Sequence, residues 1–240
     1  MKGSWRLARL AGININVHWS FSFVILWVIL QGIFGYGDVE TTLFGLTAVL
    51  LLFGCVILHE LGHALMALRL NVVVKNIVLL PIGGLAQMQT LPQHPLHELL
   101  IAGAGPLVNL ALVFALIPFA FIFTEETLLR QVMTSPGVMI EALIRSFFRQ
   151  GALIGLIMFL LLANAILFVF NLIPALPMDG GRVLRAVLAM LMPYPRATKA
   201  ALVAGQLTAM LLVFLALYFR SPGLFLIAVF VFIAGRPMKV

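Results

Sequence analysis

The sequence predicts an all-α polytopic membrane protein: about six transmembrane helices, with a short β-hairpin or re-entrant loop after the second. Three observations carry that prediction. Of 240 residues, 63% are hydrophobic. Only 10% are charged, against about 25% in soluble domains, too few to cover a water-facing surface. The charges are also segregated: 10–37, 41–59, 99–124, 150–178, 200–219 and 221–235 contain no Asp, Glu, Lys or Arg. Five of these stretches reach the roughly 17–25 residues that a spanning helix needs, and the sixth is shorter.

The elements follow in order. The start is mixed until Val17, and an apolar run from Trp19 to Phe34 forms a first span. It is long for a signal-peptide core and has no small-residue cleavage pattern, so it is expected to be retained. Asp38 and Glu40 mark a short loop before a second span, about Thr42 to Leu68. Residues 72–90 differ, because Val72-Val73-Val74 and Ile77-Val78-Leu79-Leu80 are apolar and rich in β-branched residues, and the run is then broken by Pro81 and Gly83-Gly84. That pattern is a hairpin or loop rather than a helix. A third span covers about His97 to Phe123, and 124–149 is expected to hold an amphipathic interfacial helix. The fourth span begins near Gly151 and is interrupted at Pro174 and Pro177. A fifth covers about Ala200 to Phe219 and a sixth about Pro222 to Ala234. The whole chain, 1–240, is expected to be one transmembrane domain.

Six spans place eleven of the 15 Lys and Arg on one side. The positive-inside rule then puts both termini in the cytoplasm, as expected for a protein of the cell membrane. A formal charge of +7 could suggest nucleic acid, but no basic patch interleaved with aromatics accompanies it, so no nucleic-acid partner is expected. With a single cysteine, Cys55, no intrachain disulfide is possible.

The second span contains His59-Glu60-Leu61-Gly62-His63. Residues four apart share a helix face, so both imidazoles can reach one metal, with Glu60 beside them to act on its water. Composition alone yields this pattern about 0.003 times in such a chain. Ionisable groups inside an apolar span are costly and need an ion or a partner. A catalytic zinc usually takes three protein ligands. Asp179 is the candidate for the third, in the stretch Asn171-Leu-Ile-Pro-Ala-Leu-Pro-Met-Asp-Gly-Gly-Arg182. Prolines and glycines there unwind the helix, which at membrane depth is tolerated where backbone is buried or lines a polar cavity. Taken alone, this stretch could equally be a helix-ending turn. Depth decides: His63 lies shortly before Arg69 and Asp179 shortly before Arg182, on the same predicted side.

Three segments carry a family resemblance: Leu58-His-Glu-Leu-Gly-His-Ala64, Ala104-Gly-Pro-Leu-Val-Asn109, and Asn171 through Arg182. Ile15 to Phe21 and Pro81-Ile82-Gly83-Gly84 add to them. The chain resembles the site-2 proteases, intramembrane zinc metalloproteases. The resemblance implies one Zn2+ per chain held by His59, His63 and Asp179, with Glu60 as catalytic acid and base. Asn171 matches a family asparagine that hydrogen-bonds substrate or oxyanion. The implied activity is hydrolysis of a peptide bond in or near a transmembrane segment of membrane-anchored protein substrates, as in regulated intramembrane proteolysis, with the active site toward the cytoplasm. No PDZ insertion and no CBS pair is expected.

The competing reading is a non-proteolytic metal-binding channel or transporter, since intramembrane His and Asp also mark ion paths. Glu60 argues against it, because a carrier needs no base. An intramembrane zincin acting on lipidated peptides would draw its third ligand from Glu. Among the remaining candidates, Cys55 is expected to pack in the core, His94 and His97 to be interfacial, His18 to be a belt residue, and Asn109 to serve close packing.

Overall fold

The computed structural model describes residues 3–36, 39–81, 83–88, 94–123 and 152–234. The predicted interfacial helix at 124–149 lies outside them. Among the described residues, four helices are long and apolar enough to cross a membrane: Val39–Arg69, Pro95–Ala120, Leu153–Asn171 and Tyr194–Tyr218. Trp19–Gly35 and Pro222–Ile233 are shorter apolar helices. The chain divides into two compact units.

The first unit comprises residues up to Glu60, Lys75–Gln87 and Val108–Ile166. It holds a four-stranded sheet in sequence order: β1 (Ser4–Leu10), β2 (Ile13–His18), β3 (Val74–Leu80) and β4 (Gly83–Met88). β1 and β2 form an antiparallel hairpin, while β2 and β3 run parallel, with Ile15 opposite Ile77. The hairpin at 72–90 is the expected one; the N-terminal hairpin is an addition to the predicted fold. Ile13 and Ile15 are buried and alternate with Asn14 and Asn16, the period-two pattern of a half-buried strand. β4 forms one edge of the sheet. Helix α1 (Ser22–Gln31) continues as a π-helical turn, Gly32–Tyr36. Helix α2 (Val39–Arg69) begins in this unit, and Phe53 on it meets Phe21 edge to face.

The second unit comprises Leu61–Val74, Met88–Leu107 and Leu167–Val240. α2 ends here. Asn71 adopts φ 58°, Asn71 N–H donates to the Leu68 carbonyl, and Val72 N–H donates to the Ala67 carbonyl at 2.8 Å. This left-handed cap satisfies carbonyls that the end of the helix leaves open. Helix α3 (Pro95–Phe123) contributes its first turns. Helix α4 (Ala152–Asn171) gives way to an irregular stretch, after which come α5 (Asp179–Ala189), α6 (Tyr194–Tyr218) and α7 (Pro222–Ala234). The stretch expected as an interrupted fourth span is thus a helix end, a turn and a new short helix. Ala175, Ala209 and Val231 centre the core of this unit. On α6 the buried positions Ala197, Ala201, Gly205 and Ala209 recur every fourth residue, while Leu207, Met210, Leu211 and Phe214 are exposed. Small residues inward and large apolar residues outward suit helix packing in lipid, where close approach replaces hydrophobic burial.

Candidate active site

His59, Glu60 and His63 sit on α2, and both histidines are buried. His63 Nδ1 lies 2.7 Å from the Ile101 carbonyl on α3. A carbonyl only accepts, so Nδ1 must carry the proton and donate. That leaves the lone pair of Nε2 facing Asp179 Oδ2, 3.0 Å away. Two acceptors at that distance need a cation or a second proton between them.

Asp179 owes its position to the glycines after it. A Cβ on Gly180 would fall on the Leu172 and Ile173 carbonyls, and one on Gly181 would fall on Leu176 N and Ala175 C. Only glycine lets the 172–176 turn fold back onto the start of α5. Asp179 is the first residue of that helix, where a carboxylate is favoured by the helix dipole. Its Oδ1 stands 3.6 Å from Arg182 NH1.

A ligand atom from each of His59, His63 and Asp179 lies within 4.8 Å of the others. Two ligands each about 2.0–2.2 Å from one zinc stand roughly 3.3 Å apart in a tetrahedral site, close to the His63–Asp179 separation. Two imidazoles and a carboxylate are ordinary zinc donors, and three of them leave a fourth position open. The donor set fits the metal.

Glu60 is half-buried, and its Oε2 accepts a hydrogen bond from the backbone N–H of Ala86 on β4 at 2.9 Å. A Cβ on Gly84 would fall on Glu60 Cγ. A side chain at residue 84 would therefore press on the Glu60 side chain where it meets the strand.

Asn171 ends α4 half-buried and is not among the three converging ligands. Cys55 is buried, accepts from Asn164 Nδ2 at 3.3 Å, and is not among the converging ligands. His18 caps the turn Trp19–Phe21 with Nδ1 2.7 Å from Ser20 Oγ. Glu98, which the sequence does not single out, stands in the first turn of α3 and is 2% exposed, more deeply buried than Asp179 at 8%. It receives Arg185 and the Tyr194 hydroxyl. The residues that pair with it are distant in sequence, so no local pattern flags it.

This arrangement of fold and donors is that of a site-2-type zinc metalloprotease, an integral membrane protein. Residues 47–215 match the model of peptidase family M50, and the chain belongs to that family. It is 34% identical over 236 residues to a zinc metalloprotease of Methanocaldococcus jannaschii, covering 98% of this chain and 60% of that protein. It is 30% identical over 151 residues to stage IV sporulation protein FB of Bacillus subtilis, covering 62% of this chain and 43% of that one. The solved structure of a site-2 protease from M. jannaschii superposes with a TM-score of 0.62 at 31% identity, covering 99% of this chain and 97% of that chain. The chain thus spans less than two thirds of the length of these two curated relatives.

Proposed function

We propose that residues 1–240 act as one transmembrane domain that hydrolyses a peptide bond in or near the membrane-spanning segment of an anchored protein substrate. The observation that carries this reading is the convergence of His59, His63 and Asp179 with Glu60 adjacent on the same helix. His59, His63 and Asp179 would hold the metal. Bound there, zinc would acidify water and polarise the scissile carbonyl. Glu60 takes the proton from the attacking water as the C–O bond forms. It returns the proton to the amine nitrogen as the C–N bond breaks. Asn171, at the end of α4, donates to the developing oxyanion. The six apolar helices cross the membrane, with both termini and the site toward the cytoplasm, on the Lys and Arg distribution.

A substrate helix hides its peptide groups in its own hydrogen bonds and must unwind to be cut. The sheet edge at β4 suits the unwound strand, by strand addition. The β3 run picked out by its β-branched residues lies between β2 and β4, so at that end of the sheet the edge strand is β4.

The test is to purify wild type and Glu60→Gln, measure bound zinc, and incubate both with a panel of single-span substrates. Both proteins should carry zinc, and only wild type should cleave. Equal cleavage by the two would overturn the mechanism. Stoichiometric zinc without cleavage of any substrate would favour a metal carrier instead.

A further inference from the structure

The site just described accounts for the buried Asp179 and the half-buried Glu60, but not for a further buried acid, Glu98. Glu98 Oε1 receives two nitrogens of Arg185, with Nε at 2.9 Å, and its Oε2 receives the Tyr194 hydroxyl at 2.7 Å. Burying an ion pair is a poor route to stability, because desolvation offsets the attraction. What the pair does provide is direction. Three donors from two partners hold both oxygens of one carboxylate, and a guanidinium reads such an arrangement with a rigid fork.

The chain positions of these residues give that direction a use. Glu98 lies on α3 one turn before Ile101, whose carbonyl receives His63 Nδ1–H. Arg185 lies on α5 less than two turns after Asp179, which faces the other ring nitrogen of His63. α3 therefore supports one nitrogen of His63, and α5 carries the carboxylate opposite the other. The Glu98–Arg185 contact joins the same two helices a second time. Tyr194 extends the joint to the start of α6. With one connection, α5 could pivot about His63; with two, the distance from Asp179 to His63 is set.

We infer that Glu98, Arg185 and Tyr194 form a strut that holds α5 against α3 and so sets the position of Asp179 as a metal ligand. Glu98 and Arg185 are then positioning residues rather than catalytic ones. The inference rests on the proposed metal site. Outer partners of metal ligands typically account for about 10–100-fold in metal affinity.

The experiment measures zinc dissociation constants of the full chain in detergent by chelator competition, beside the melting temperature of the zinc-free protein. Arg185→Lys keeps the charge but loses the fork. Zinc should bind about tenfold more weakly, with the zinc-free melting temperature nearly unchanged. If Arg185→Lys does not fold, Tyr194→Phe leaves both charges in place and should weaken zinc by about threefold to tenfold. The pair exchange Glu98→Gln with Arg185→Gln, which restores a neutral hydrogen-bonded contact, should bind zinc better than Glu98→Gln alone. A purely structural role would lower the melting temperature and leave the dissociation constant within about twofold of wild type, which overturns the inference. Wild type that binds no zinc, or His63→Ala that binds it as well as wild type, would instead overturn the metal site itself.

Discussion

Ala86 N–H donates to Glu60 Oε2 across 2.9 Å, so a strand at the edge of the sheet holds the carboxylate next to the two buried histidines of α2. The same strand is the edge proposed to receive substrate. Binding a substrate strand and aiming the base are thereby tied to one piece of backbone. The Ala86 N–H is taken by the Glu60 carboxylate.

Gly84→Ala tests how closely that aim is set. The added Cβ would fall on Glu60 Cγ, an atom of a side chain that can swing aside. The expected cost in stability lies within the roughly 1–3 kcal/mol typical of overpacking. A misplacement of roughly 1 Å can lower a rate about 100-fold, and kcat should fall on that order while zinc content stays at the wild-type level. Unchanged kcat in a zinc-loaded Gly84→Ala protein would count against the role of β4 in holding Glu60.

Ala86→Pro removes the donor itself. Proline is tolerated on an edge strand where its missing N–H faces away from the ladder. The protein should fold with its sheet intact by circular dichroism, bind zinc, and cleave at least about tenfold more slowly, given that a hydrogen bond to a charged group contributes about 1.5–3 kcal/mol. Wild-type cleavage would show that Glu60 does not depend on this bond.

Asn171→Ala separates oxyanion stabilisation from metal binding. Removing one such donor typically costs about 100–1,000-fold in kcat. Zinc affinity and KM should move little, because Asn171 is outside the converging ligands. Parallel loss of zinc and activity would assign Asn171 to shaping the turn before Asp179.

What could be read from the sequence follows the range of the signal. His59, Glu60 and His63 lie within one helical turn, so their spacing alone brings them to one face. Asp179 needed only the added observation that both segments end at a basic residue of the same side. The long apolar helices follow from composition. The N-terminal hairpin was missed although Ile13 and Ile15 alternate with two asparagines, because both strands are short and β1 is largely exposed, with no such alternation of its own. Glu98 was missed because Arg185 and Tyr194, which pair with it, are about ninety residues away in sequence. The glycines of 83–84 and 180–181 were read as helix breakers and turn formers. Their second function, close approach of backbone to Glu60 and to the 172–176 turn, exists only in three dimensions.

Gly180→Ala tests that second function where it bears on the metal. Its Cβ would fall on the Leu172 and Ile173 carbonyls, which are backbone and cannot rotate away. Gly205→Ala is the matched control. Its Cβ would lie 3.3 Å from Ala175 Cα, a tight contact on the same turn that a shift of a few tenths of an ångström relieves. Overpacking typically costs about 1–3 kcal/mol, and Gly180→Ala should sit at or above the top of that range, with Gly205→Ala near the bottom. The two should also differ in metal binding. Gly180→Ala must move the 172–176 turn or the first residue of α5, and either displaces Asp179 from His63 Nε2, so zinc affinity should fall by more than about tenfold. Gly205→Ala presses only lightly on Ala175 and Leu176 and should keep zinc. Thermal melting with and without chelator measures both quantities on the same sample. Equal zinc affinity in the two variants would mean that the glycines shape the turn without setting the ligand.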